Sequence, residues 1–155
     1  VYQRPLTLVT LGHGCLPRVA DGITLHSLGY IDHERTKVLA YAAADVLVHP
    51  ALADNLPNVV MEAMACGTPC VSFAIGGVPD MVRPGKTGWL AHQVTAQALA
   101  SAVDTALKDI KQGEDLRVSC RSIAEAEYDE ALQAQRYLAL FNQLQHWKRS
   151  TPNPD

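Results

Sequence analysis

Short runs of β-branched and apolar residues alternate along the chain with longer segments in which apolar positions recur at helical spacing. The short runs predict strands, and the longer segments predict amphipathic helices. We predict strands at residues 7–11, 23–28, 45–49, 70–73 and 89–91. We predict helices at residues 34–44, 57–66, 95–111, 114–127 and 129–147, with a short helical turn at 78–82.

Strands and helices alternate over the first two thirds of the chain. This order predicts right-handed βαβ crossovers and a parallel sheet with helices on both faces. The predicted fold class is therefore α/β, a Rossmann-like parallel sheet sandwiched by helices, with further helices at the C-terminal end. We expect residues 1–149 to form one domain and residues 150–155 to be a flexible polar tail.

The helix predicted at residues 57–66 has clear boundary signals. Pro57 suits its first position, because the missing N–H would have no intrahelical partner there. Asp54 or Asn55 can cap the helix start locally. Gly67 suits the position that ends the helix, where a left-handed conformation is common.

The composition excludes several classes of protein. Hydrophobic residues make up 48% of the 155 residues and charged residues 19%, which is typical of a globular protein and not of a disordered one. The net charge of -3 argues against a nucleic-acid partner, whose binding face is usually basic. No apolar run approaches the roughly 20 residues of a membrane-spanning helix. The start at Val1, with neither an initiator Met nor a signal-peptide pattern, indicates an excised fragment or a processed chain.

The four cysteines are Cys15, Cys66, Cys70 and Cys120, too few for a disulfide scaffold in a chain of this length. Cys66 and Cys70 follow His49 in sequence, but the close cysteine pairs of zinc sites are missing. We therefore expect buried thiols and no metal site.

Three loops follow predicted strands, at Gly12-His13-Gly14, at residues 50–57 and at residues 74–77. Ligands of open α/β sheets bind at these carboxyl ends. The second loop leads into a helix whose first N–H groups and positive dipole end suit a phosphate. Glu62, further along that helix, either accepts hydrogen bonds from sugar or ribose hydroxyls or is a solvated helix carboxylate, and the position alone favours neither.

Other motifs carry less information. Gly76-Gly77 either lets a backbone approach a ligand closely or forms a tight turn. Gly12-His13-Gly14 is not a dinucleotide fingerprint, since Pro17 replaces its third glycine, and Gly85-Lys86-Thr87 is not a P-loop, since Asp80 stands at its first glycine. No serine or cysteine stands at a nucleophile elbow. We expect His49 to lie beside the site, and His13 is a weaker candidate for contact with a diphosphate.

Residues 54–71, Asp-Asn-Leu-Pro-Asn-Val-Val-Met-Glu-Ala-Met-Ala-Cys-Gly-Thr-Pro-Cys-Val, resemble the E-x7-E signature of family 4 glycosyltransferases. The segments at 43–50, 76–82 and 85–90 resemble the sequences around that signature. The first glutamate is Asp54 here, and we interpret this as a subfamily variant found in enzymes of cell-surface polysaccharides. The resemblance implies one half of a GT-B fold, the nucleotide-sugar-binding C-terminal domain.

The resemblance also implies roles for particular residues. Asp54 and Glu62 would be the catalytic pair, with Asp54 near the donor sugar and Glu62 on the ribose hydroxyls of a UDP or GDP sugar. The backbone amides of Asn58 and Val59 would hold the diphosphate. The remaining donor contacts would come from the backbone of the signature and from a turn flanking the base: Asn55, Leu56, Pro57, Gly29, Tyr30 and Ile31. The family transfers sugar with retention of configuration and needs no metal or other cofactor.

In such enzymes an additional βα unit carries an Arg and a Lys that clamp the diphosphate, and an N-terminal domain binds the acceptor. Neither matches a segment of this sequence, so we expect the chain alone to bind donor weakly and to transfer no sugar. The expected partners are the nucleotide-sugar donor and the acceptor domain of the same protein, with self-association through an uncovered surface. The expected location is cytoplasmic, with a peripheral place at the inner face of the membrane left open.

Two alternatives stay open at this point. The first is a nucleotide-sugar epimerase of the same fold. The second is a non-catalytic module that binds a nucleotide, or binds a partner through an apolar stripe in the last helix, formed by Leu132, Leu138, Leu140, Phe141 and Leu144. We expect that stripe to pack instead on this domain or on the acceptor domain.

Overall fold

The computed structural model describes residues 5–14, 16 and 19–150, with side chains described up to Trp147. The chain forms two compact units, Val1–Ala40 and Tyr41–Asp155, and each contains a parallel sheet. Cys15, Pro17 and residues 151–155 of the predicted tail lie outside the described residues.

The first unit contains a two-stranded parallel sheet. Strand β1 spans Leu6–Thr10 and strand β2 spans Ile23–Ser27, with Leu6 opposite Ile23 and Thr10 opposite Ser27. Half-buried residues alternate with exposed ones along β1 and along the first four residues of β2, as expected for side chains that point to opposite faces. Helix α1, Glu34–Ala43, begins in this unit.

The second unit is built on a three-stranded parallel sheet in the order β3-β4-β5. Its strands are Leu47–His49, Cys70–Phe73 and Gly88–Ala91. All four residues of the central strand β4 are buried, because its two faces carry separate cores. Cys70 belongs to one core, and Val71 and Phe73 belong to the other. The parallel α/β fold class predicted from the sequence is confirmed.

Five helices of the second unit follow the strands or extend beyond them. They are α2 at Asn58–Ala65, α3 at Val78–Met81, α4 at Ala96–Lys111, α5 at Arg117–Glu127 and α6 at Glu130–Ser150. The face of β4 that carries Cys70 packs with α2, α3 and α5 through Val60, Met64, Val78, Met81, Cys120 and Ala124. The other face packs with α4 through Ala102 and Ala106. Small alanines there let the helix approach the sheet closely.

The end of α2 forms as its sequence predicts. Gly67 has a φ of 78°, and its N–H donates to Met64 O at 2.9 Å. The N–H of Thr68 donates to Ala63 O at 2.8 Å, so the helix ends in a Schellman motif. The predicted start shifts by one residue, because Pro57 is the N-cap with extended backbone and the helix begins at Asn58.

The apolar stripe of α6 does not pack on this domain along most of its length. Leu138, Leu140, Phe141 and Leu144 are exposed, and Leu132 is half-buried. Packing onto the acceptor domain, the other expectation for this stripe, stays a prediction. Within the described part of the chain, no helix is both long enough and apolar enough to cross a membrane.

Candidate functional site

The segment between β3 and α2, together with α2 itself, carries most of the predicted site residues. Strand β3 ends at His49, and α2 begins at Asn58. We call residues 54–57 of this segment the signature loop. Asn55 and Leu56 are exposed, whereas Pro57 is buried and fixes the point where the loop enters the helix.

The start of α2 presents backbone amides that the helix itself does not use. Pro57 O accepts the first helical bonds, from Val60 N at 3.0 Å and from Met61 N at 3.3 Å. The amides of Asn58 and Val59 precede these bonds and have no intrahelical acceptor. No side chain caps the helix, so the predicted local cap by Asp54 or Asn55 is wrong, because the Asp54 carboxylate lies beside His49 instead.

Asp54 lies at the start of the signature loop, next to the end of strand β3. Its Oδ2 is 3.5 Å from Nε2 of His49, and 32% of its side chain is exposed against 13% for the histidine. His49 Nε2 is buried and makes no hydrogen bond. The backbone of His49 is fixed by the Ser72 hydroxyl, which donates to His49 O at 2.9 Å. The imidazole therefore packs beside the carboxylate at the expected place, while Asp54 keeps solvent access.

Glu62 lies in the second turn of α2 and is not a freely solvated carboxylate. The hydroxyl of Tyr41 donates to its Oε2 at 3.1 Å. Burial, followed by the Glu62 charge, raises the pKa of Tyr41 well above its ordinary value, so the phenol stays protonated and remains a donor. The sequence left two interpretations of Glu62 open, an acceptor for sugar or ribose hydroxyls and a solvated helix carboxylate. A carboxylate that is hydrogen-bonded to a buried tyrosine does not fit the second.

Gly76 and Gly77 pack against the signature loop. The N–H of Gly77 donates to Asn55 O at 2.8 Å. A Cβ added at position 76 would overlap Asp54 O, and one added at position 77 would overlap Asn55 O. The two glycines therefore let their own backbone approach the backbone of the signature loop closely. This differs from both interpretations made from the sequence, which were an approach to a ligand and a simple tight turn.

The remaining predicted donor residues divide between the two units. Asn58 and Val59 are exposed at the start of α2 in the second unit. Gly29, Tyr30 and Ile31 belong to the first unit. There Gly29 O accepts from Gly12 N at 2.8 Å, and the Tyr30 ring stacks on His13 with centroids 4.9 Å apart.

Tyr41 is the site residue that sequence reasoning missed. The amphipathic pattern of α1 placed it among apolar helix residues, and 21 positions separate it from Glu62. A partial signal was available, because a buried tyrosine usually finds a hydrogen-bond partner for its hydroxyl. The pattern gave no way to choose that partner.

The described cysteines have the character of buried thiols. Cys70 is buried and Cys66 is half-buried, and neither forms a disulfide. Burial raises the pKa of both thiols, which disfavours the thiolate that zinc requires. Among the described residues, no group of three or more His, Cys, Asp or Glu side chains is placed to hold a metal ion.

Similar proteins of known identity are glycosyltransferases and sugar-phosphate synthases. A D-inositol 3-phosphate glycosyltransferase of Mycobacterium leprae is 38% identical over 96 residues, which cover 60% of this chain and 22% of that protein. The sucrose-phosphate synthase of Thermosynechococcus elongatus superposes with a TM-score of 0.68 at 34% identity, over 77% of this chain and 30% of that one. HepE of Anabaena, in a crystal structure with UDP and glucose, superposes with a TM-score of 0.63 at 25% identity, over 77% of this chain and 32% of that one.

The chain thus spans about a fifth to a third of the length of these proteins. The matched structures have the GT-B fold, and the parallel sheets flanked by helices are shared with them. The family model described as glycosyl transferases group 1 matches residues 22–125, which include strands β2 to β5 and the whole signature loop. The chain belongs to the glycosyl transferases group 1 family.

Proposed function

We propose that this chain is the donor-binding part of a glycosyltransferase that transfers a sugar from a nucleoside-diphosphate sugar to an acceptor with retention of configuration. One observation carries the proposal. The signature loop and α2 place a carboxylate just before a helix start and another in its second turn, with unused backbone amides between them. The two carboxylates can accept hydrogen bonds from hydroxyls, and the amides between them suit a diphosphate.

The helix start supplies the diphosphate contacts. The N–H groups of Asn58 and Val59 point toward the N-terminal end of α2, where the helix dipole is positive. No acidic residue lies in the first turn of α2, so no side chain there opposes an anion. These amides would stabilise the negative charge of the departing nucleoside diphosphate, which is an electrostatic contribution to catalysis.

The two carboxylates would bind the neutral parts of the donor. Glu62 would accept hydrogen bonds from the ribose hydroxyls, and Asp54 would lie beside the donor sugar. The backbone of the signature loop would contact sugar hydroxyls, although Asn55 O already accepts one bond from Gly77. Gly29, Tyr30 and Ile31 would flank the base.

The related HepE structure with UDP and glucose supports a nucleotide-sugar donor. Transfer without a metal, and a role in making a cell-surface polysaccharide or glycolipid in the cytoplasm, are part of the proposal. Transfer without a metal rests on the resemblance to family 4 glycosyltransferases. The cell-surface role rests on the resemblance of the Asp54-Asn55-Leu56-Pro57 sequence to enzymes of that kind.

Calorimetric titration of the chain with UDP, GDP, ADP and their glucose derivatives tests the proposal. We expect one nucleotide to bind selectively. Glu62→Ala should weaken that binding by about ten- to a hundredfold, because hydrogen bonds to a charged group contribute about 1.5–3 kcal/mol. Glu114→Gln removes one exposed carboxylate outside the signature loop and α2, and should leave the affinity unchanged.

Two results would contradict the proposal. One is that Glu62→Ala binds nucleotide as tightly as the parent chain. The other is that no nucleotide binds the parent chain under conditions where circular dichroism shows it folded.

A further inference from the structure

Tyr41 contacts the helix of the signature at two separate points. Its hydroxyl donates to Oε2 of Glu62 at 3.1 Å, in the second turn of α2. Its backbone oxygen accepts from the hydroxyl of Thr68 at 2.7 Å, in the Schellman motif that ends the same helix. The tyrosine is therefore tied both to the middle of α2 and to the segment that follows it.

These contacts leave the phenol little freedom. Only 6% of Tyr41 is exposed, and Thr68 is fully buried. A buried ring whose main chain is also hydrogen-bonded cannot swing its hydroxyl away from Glu62 without disrupting its packing. The hydroxyl is thus a fixed donor to the half-buried carboxylate of Glu62.

We propose that Tyr41 is a positioning residue that orients the Glu62 carboxylate and thereby makes the site selective for ribose over deoxyribose. This inference rests on the proposed function, which assigns Glu62 to the ribose hydroxyls. A carboxylate is an acceptor with about four lone-pair positions. The phenol donates to one of them and orients the carboxylate, which in that orientation would accept from the vicinal 2′- and 3′-hydroxyls of a ribose. Pre-organising the acceptors lowers the entropy lost when the diol binds.

The test compares UDP with 2′-deoxy-UDP as probes, or the corresponding GDP or ADP pair if the titration above selects one of those. Affinities are measured for the parent chain, Tyr41→Phe, Glu62→Gln and the double variant. Phenylalanine keeps the ring packing and removes only the hydroxyl. The matched control is Tyr128→Phe. The Tyr128 hydroxyl also donates one hydrogen bond, in this case to the main-chain oxygen of Asp80 at 3.3 Å, outside the signature loop and α2.

We expect Tyr41→Phe to weaken UDP binding about five- to tenfold, because the variant loses the one hydrogen bond that orients Glu62. The affinity for 2′-deoxy-UDP should change less than about twofold. In the Glu62→Gln background the loss of the Tyr41 hydroxyl should have little further effect, because the two residues act as a unit. Tyr128→Phe should leave both affinities at the parent values.

The outcomes separate the two proposals. If Glu62→Gln binds UDP as the parent does, or the parent binds no nucleotide, the proposed function fails and the inference fails with it. If Glu62→Gln is weak but Tyr41→Phe equals the parent, only the inference fails. Equal weakening of UDP and 2′-deoxy-UDP in Tyr41→Phe, or a fall in its urea midpoint that accounts for the weakening, shows a merely structural role and also overturns the inference.

Discussion

Gly77→Ala tests how the signature loop is held in place. Gly77 has φ -91° and ψ 5°, a conformation that alanine adopts without strain. If the space around it were open, alanine would stabilise the chain by about 0.4–1 kcal/mol, because it restricts the unfolded state. The sign of the measured change therefore distinguishes a steric role of this glycine from a purely conformational one.

The geometry predicts destabilisation. An added Cβ would overlap Asn55 O by about 1 Å relative to an ordinary carbon–oxygen contact. That oxygen also accepts the Gly77 N–H at 2.8 Å, so moving it away sacrifices the hydrogen bond as well. Overpacking costs about 1–3 kcal/mol and a hydrogen bond about 1 kcal/mol. Because Asn55 is exposed and its loop can yield, we expect a net loss of about 1–3 kcal/mol.

Urea unfolding followed by circular dichroism measures this loss, which should lower the midpoint without changing the m-value. Gly113→Ala is the control, since an added Cβ there meets nothing within 4 Å and its φ of 100° costs only backbone strain. Both variants should be less stable than the parent, but only Gly77→Ala should also weaken nucleotide binding, because it shifts the signature loop. A Gly77→Ala midpoint at or above that of the parent would refute the steric reasoning.

Two further predictions concern titratable groups. Hydrogen bonds from the Arg83 guanidinium, at 2.7 and 2.5 Å, are the main reason that the pKa of Glu127 lies below its ordinary value. The pair's stabilisation is therefore present above about pH 4.3 and lost as the pH falls through the lower folded pKa. Both side chains are about a third exposed, so Glu127→Gln should lower the free energy of unfolding by no more than about 1 kcal/mol at neutral pH and by almost nothing in acid. An equal loss of unfolding free energy at neutral and acid pH would contradict this. Burial raises the pKa of Cys120 to about 11 and also raises that of Cys70, and both of these thiols are buried whereas Cys66 is half-buried. Pulse alkylation with peptide mapping should therefore label Cys66 in the native chain, and Cys70 and Cys120 only on unfolding; equal labelling of Cys66, Cys70 and Cys120 would count against it.

The parts of the fold that depend on local chemistry could be predicted from the sequence. Gly67 ends α2 because a left-handed residue is needed there, and the alternation of strand and helix specified a parallel sheet. The local cap of α2 was predicted wrongly. Capping propensity favoured Asp54 or Asn55 at the helix start, but the Asp54 carboxylate lies beside His49 instead. Asp54 and Glu62 were identified as a pair through the resemblance of residues 54–71 to the family 4 signature. The partners of these carboxylates were not identified, because contacts between separate elements leave no periodic signal.

The structure places a different support behind each part of the proposed donor site. His49 at the end of β3 lies against Asp54, Gly77 before α3 holds Asn55, and Tyr41 at the end of α1 holds Glu62. None of these three supports is a lysine or an arginine, so each fixes geometry without adding a permanent positive charge beside the phosphate position. A neutral substitution at Gly77 or Tyr41 should therefore change how well one group of the donor is bound without changing the net charge of the site. Such variants separate the contribution of orientation from that of charge, which substitution of Asp54 or Glu62 alone cannot do.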